Sequence, residues 1–119
     1  MGCCGFSGPT VPEMTATEAT NQLSEGAALI DVREPFEWDT GHAPQARYHR
    51  LSSLPATADS LPRDRTLIVI CRSGNRSATA TRFLRGQGFD AVNLRGGMGA
   101  WVAAGLPVIH ERGQPGAVA

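Results

Sequence analysis

Cys71, Arg72, Ser73, Gly74, Asn75, Arg76 and Ser77 concentrate the reactive side chains of this sequence in one short segment. The thiol follows directly on the aliphatic run Leu67, Ile68, Val69 and Ile70, and the chain beyond it reads as a helix opening at Ser77. A cysteine at such a junction meets unpaired backbone N–H groups and the positive end of a helix dipole, with Arg72 and Arg76 beside it. All three favour the thiolate over the thiol. A loop that folds its N–H groups inward around an anion also needs a residue tolerating positive φ, and Gly74 supplies it. The chemistry expected is that of a nucleophilic thiolate in an anion cradle. The plainer reading, a free cysteine ending a buried strand as a small hydrophobe, leaves the two Arg residues, Gly74 and the helix start unexplained.

Such a loop needs a strand before it and a helix after it. Residues 66–70 form an unalternating apolar run, and residues 28–32 a second one, as strands covered on both faces do. Residues 77–87 predict a helix that turns Ala78, Phe83 and Leu84 inward and ends near Gly86 and Gly88. Thr15 and Glu18 have capping-box spacing, which predicts a helix over residues 15–25 stopped by Gly26. A short helix over 35–39 closed by Gly41, strands over 46–50 and 91–94, and a last helix over 98–104 stopped by Gly105 and Pro107 complete the pattern. Strands alternating with helices predict an α/β domain of three layers, a mainly parallel central sheet with helices on both faces. Ligand sites in such sheets gather at the carboxyl ends of the strands. Residues 1–14, with three Gly and two Pro, read as a flexible lead-in, 15–109 as the domain and 110–119 as a tail.

Three sets of residues then resemble the rhodanese family of sulfurtransferases, over about residues 14–107. The segment 71–77 resembles the family's six-residue active loop and the helix after it. Leu29, Ile30, Asp31, Val32 and Arg33, followed by Glu37, Trp38, Gly41, His42, Ala43, Pro44 and Ala46, resemble its N-terminal signature. Leu94, Arg95, Gly96, Gly97, Met98 and Trp101 resemble its C-terminal one. The resemblance implies a ping-pong transfer, in which Cys71 takes sulfane sulfur from a donor such as thiosulfate as a persulfide and yields it to cyanide or a thiol. Arg72 and Arg76 would hold a small anionic donor. Ser73, Gly74, Asn75 and Ser77 would complete the binding loop, and no cofactor or metal is required because the protein carries the sulfur covalently. A phosphatase or arsenate reductase of related fold would place five residues between Cys and Arg; four separate Cys71 from Arg76, and Ile70 stands where such phosphatases commonly carry His. A sulfur-relay partner protein, loading or unloading Cys71, is the alternative to turnover of small donors.

Composition bounds the remaining classes. The chain has 119 residues, 41% apolar and 18% charged, with 11 basic residues balancing 11 acidic ones. A net charge of zero gives no field to gather nucleic acid or an anionic membrane, and the absence of Lys removes Schiff-base chemistry. No apolar run approaches the roughly 18–20 residues of a spanning helix, and the start lacks the basic-then-apolar pattern of a secretory signal, so a cytoplasmic location is expected. Asp31 and Arg33 read as a structural ion pair and His42 as part of a turn. His49 and His110 are isolated, so no metal constellation is visible. Trp38 and Trp101 read as core or pocket wall, and Gly96, Gly97 and Gly99 as tight geometry at a helix start rather than a dinucleotide loop. Cys3 and Cys4 read as an inconsequential tail pair, with acylation, transient metal binding or a relay from Cys71 as alternatives.

Overall fold

The computed structural model describes residues 11–110 and 115–118. In chain order it contains β1 (Glu13–Met14), α1 (Ala16–Ser24), β2 (Ala28–Asp31), α2 (Pro35–Thr40), β3 (Ala46–Tyr48), α3 (Leu54–Thr57), β4 (Leu67–Ile70), α4 (Asn75–Gly86), β5 (Ala91–Leu94) and α5 (Gly97–Ala103). The five strands form one sheet in the order β1-β5-β4-β2-β3, and every pairing is parallel. This is the three-layer α/β architecture expected from the alternating elements.

β2 and β4 are buried along their whole length, which is why their sequences do not alternate with polar residues. Their side chains still divide by period two between the two faces. Ile30, Leu67 and Val69 pack with Leu54, Ala80, Leu84 and Phe89 on the α3–α4 side. Leu29, Ile68 and Ile70 pack with Ala19, Met98 and Trp101 on the α1–α5 side. Local signals fix the ends of helices as read: Thr15 Oγ1 accepts from Glu18 N at 3.1 Å while Glu18 Oε1 accepts from Thr15 N at 2.8 Å, a complete capping box.

Three parts differ from the sequence reading. Glu13–Met14, at the end of the expected lead-in, form an edge strand on Asn93 and Leu94; the partner lies far along the chain, where no local pattern can reveal it. Residues 51–60 hold 3₁₀ turns at Leu51–Ser53 and Ala58–Ser60 around α3. Burial of Leu54, Ala58 and Leu61 in the core, rather than propensity, holds them there. Part of the expected tail lies against the domain, with Gly116 N donating to Val108 O at 3.1 Å and Ala117 N to Thr40 O at 3.2 Å.

The order of strands places the site. β2 leads outward to β3, whereas its neighbour β4 leads the other way to β5. Connections therefore diverge from the carboxyl ends of β2 and β4, the crevice where parallel sheets bind ligands. Residues 71–77 leave β4 at that point and α2 follows β2 beside it.

Candidate active site

Cys71 is the first residue after β4 and is fully buried. The loop returns over it because Gly74 takes φ 108°, a left-handed conformation, and caps α4. The helix thus begins at Asn75, two residues before the expected start at Ser77. That shift puts the Ser77 N–H in the first helical turn, where it joins those of Gly74 and Ser73 from the loop in facing the sulfur. Gly74 N donates to Cys71 Sγ at 3.0 Å and Ser77 Oγ lies 3.3 Å from it.

Burial pushes the Cys71 thiol up. The Ser77 hydroxyl and the backbone N–H groups of Ser77, Gly74 and Ser73 outweigh it, leaving the thiol below its ordinary value. Cys71 belongs to the apolar cluster that also holds Val69 and Leu84, so its position alone matches a packing cysteine. The donors converging on its sulfur separate the two readings, because a packing thiol needs none of them.

The expected residues fall into three groups. Cys71, Gly74 and Ser77 meet at the sulfur, while Arg72, Ser73 and Asn75 stand exposed on the rim. Arg76 turns away to Glu37: its Nη1 donates to Oε1 at 2.7 Å and its Nη2 to Oε2 at 2.9 Å, a bidentate ion pair across the crevice. Glu37 is almost wholly buried and Arg76 about a third exposed, at 6% and 35% of their side chains. The Arg76 hydrogen bond holds the Glu37 carboxyl below its usual range against the opposing effect of burial. Glu37 in turn raises Arg76.

Two supports escaped the sequence reading. Asn93 in β5 is buried, accepts a short hydrogen bond from Ser77 Oγ, and donates from Nδ2 to Gly74 O at 3.2 Å and Glu13 Oε2 at 3.1 Å. Those two acceptors fix which end of the amide faces Ser77. Ser77 then has one proton and two acceptors, so its hydroxyl can accept from the Cys71 thiol or turn and donate to the thiolate. A polar residue within an otherwise apolar buried strand was the available signal.

The second support is the start of α5. Met98 N donates to Cys71 O at 2.7 Å and Gly99 N to Arg72 O at 3.2 Å. A Cβ at Gly97, which has φ 57°, would collide with the carbonyl oxygens of Cys71 and Arg72. The paired glycines expected to shape a helix start thus also let that helix approach the loop.

Other singled-out residues lie apart from the sulfur. Asp31 and Arg33 form a buried pair, with Arg33 Nη2 at 2.8 Å from Asp31 Oδ2 and 2.7 Å from Gly41 O. His42 stacks on Trp38 at 3.5 Å between ring centroids and its Nδ1 lies 2.8 Å from Trp38 O. Trp101 is buried and donates to Pro107 O. Cys3 and Cys4 lie outside the described residues. Among the described residues, no group of His, Cys, Asp and Glu could hold a metal ion, and no helix is long and apolar enough to cross a membrane.

Comparison with known proteins bears on the same residues. A model of the rhodanese-like domain matches residues 15–104. A sulfurtransferase of Allochromatium vinosum is 38% identical over 87% of this chain and 99% of its own length. The crystal structure of a rhodanese-related protein from Thermoplasma volcanium superposes with a TM-score of 0.79 at 34% identity, covering 84% of this chain and 99% of that one. A rhodanese-like domain protein from Staphylococcus aureus gives a TM-score of 0.71 at 33% identity, covering 76% and 90% of the two chains.

Proposed function

The chain belongs to the rhodanese-like family, and on that premise we propose that it is a sulfurtransferase carrying sulfane sulfur on Cys71. The observation that carries this reading is the convergence of Gly74 N–H, at 3.0 Å, and the Ser77 hydroxyl, at 3.3 Å, on a thiol whose pKa is lowered despite its burial.

With thiosulfate as donor, the Cys71 thiolate attacks the outer sulfur. A Cys71–S bond forms, the donor S–S bond breaks, and sulfite leaves with the electron pair. The terminal sulfur of the persulfide then bears the negative charge. Inward N–H groups of the loop are suited to hold it, as an oxyanion hole holds developing charge. Cyanide next attacks that sulfur, a C–S bond forms to give thiocyanate, and the electron pair of the broken S–S bond returns to Cys71. A thiol acceptor follows the same course and leaves as a persulfide. Neither half-reaction needs a metal or organic cofactor.

Asn93 and the start of α5 act as positioning groups in this scheme, since they hold the loop and the Ser77 hydroxyl rather than the substrate. Arg72, exposed on the rim, is the cation of the loop best placed to meet an anionic donor. Dependence on a free thiol suits a reducing compartment such as the cytoplasm, and a partner protein could load or unload Cys71 through the same persulfide. Initial rates at varied thiosulfate and cyanide test the order of events. Parallel double-reciprocal lines are expected; intersecting lines would exclude a persulfide released from its first product before the acceptor binds.

A further inference from the structure

Of the two guanidinium groups expected to serve an anionic donor, that of Arg76 is already occupied. Arg76 gives both Nη groups to the Glu37 carboxylate, and that carboxylate is also fixed by its own helix, where Oε1 accepts from Glu34 N at 2.9 Å. A sulfonate taking the same fork would have to displace a carboxylate that is 6% exposed. It would leave a buried charge without its cation, a strongly unfavourable state. Glu34, the residue that precedes α2, is likewise matched by Arg50 at 2.7 Å, so two ion pairs with no net charge stand at the start of that helix. Arg76 nevertheless lies close enough to the sulfur for a Cys71 thiolate to contribute to its raised pKa.

We infer that Glu37 is a specificity-determining residue: by holding Arg76 it lowers the site's preference for the dianion thiosulfate and favours an organic persulfide carrying little other charge. This rests on the sulfur-transfer reading and names the donor class within it. In the favoured step the Cys71 thiolate attacks the outer sulfur of R–S–SH, a Cys71–S–SH bond forms, and R–S⁻ leaves with the electron pair of the broken S–S bond and takes a proton from water.

The test is the ratio of kcat/KM for thiosulfate to kcat/KM for the persulfide of an uncharged organic thiol. Glu37→Gln keeps a hydrogen-bond acceptor beside Arg76 but removes the charge, and the ratio is expected to rise about tenfold as a charge-assisted contact to the sulfonate becomes available. Adding Arg76→Gln to Glu37→Gln should return the ratio to the wild-type value. A pair that merely staples α2 to α4 would lower both donors together, so an unchanged ratio in Glu37→Gln overturns the inference, as does a gain that survives loss of Arg76. If Glu37→Gln does not fold, the double variant, which removes both charges at once, is read directly against wild type. An equal ratio is expected there, and a tenfold lower one would mean that Arg76 serves thiosulfate in spite of Glu37. Wild-type protein that accepts sulfur from neither donor would overturn the sulfur-transfer reading itself, a result distinct from transfer with an unchanged ratio.

Discussion

At the carboxyl end of β2, Asp31 and Arg33 close on each other. Nε and Nη2 of Arg33 meet both carboxylate oxygens, Nη2 also meets Gly41 O, and both side chains are fully buried. One strand over, at the end of β4, Cys71 is equally buried but its donors converge on a single polarizable atom under a loop whose rim is exposed. The first end binds its charges to each other, and of its guanidinium only the buried Nη1 of Arg33 is left without a hydrogen-bond partner among the described residues. The second directs several N–H groups at one atom and so favours its thiolate; in the proposed reaction the same groups would meet the charge on the terminal sulfur. Two neighbouring strand ends of one sheet thus differ in whether their polar groups are consumed by structure or held ready for substrate. Glu37 and Arg76 lie between them in kind, a structural pair on the border of the reactive loop.

Substitutions at the two ends separate these roles. The largest expected effect is on chemistry: Cys71→Ser should abolish sulfur transfer from every donor while circular dichroism shows the fold retained. At the β2 end the largest effect should be on stability. Asp31→Ala strands a buried guanidinium and is expected to cost about 3–5 kcal/mol in chemical denaturation, with persulfide formation preserved in whatever fraction remains folded. Asn93→Ala joins the two kinds of effect, since Ser77 Oγ loses its acceptor and Gly74 O and Glu13 each lose one donor while keeping Ala78 N and Arg95; a stability loss of about 1–3 kcal/mol is expected, together with slower Cys71 alkylation.

Ser77→Ala removes a group that favours the thiolate. The midpoint of Cys71 alkylation against pH should therefore move upward, slowing the reaction near neutral pH by about tenfold at most. The smallest effect concerns Glu37. Its folded pKa lies below the unfolded one, so its stabilisation is complete above the unfolded value and disappears as pH falls through the folded value. Glu37→Gln should flatten that acid limb of the stability profile.

The loop was legible because its signals are local. An aliphatic strand, a cysteine, a glycine with positive φ and a helix start follow one another within a few residues, and Thr15 with Glu18 marked α1 in the same way. Boundaries slipped by one or two residues where a cap decides them, as at Gly74. Contacts between distant segments left no such mark: Arg76 and Glu37 are 39 residues apart, and Asn93 and Glu13 are 80 apart. Reading Arg76 by its neighbours suggests an anion ligand; its position in the fold gives it an internal partner. Helix α3 and its flanking turns were invisible because tertiary burial of Leu54 and Leu61 outweighs weak local preference.

The most direct measurement is peptide-resolved mass spectrometry of the reduced protein after incubation with thiosulfate or an organic persulfide, followed by cyanide. One added sulfur atom on Cys71, removed by cyanide with formation of thiocyanate, is the expected result. A Cys71 that stays unmodified with both donors, in protein shown to be folded, would contradict the assignment of the β4 loop as the sulfur-carrying site.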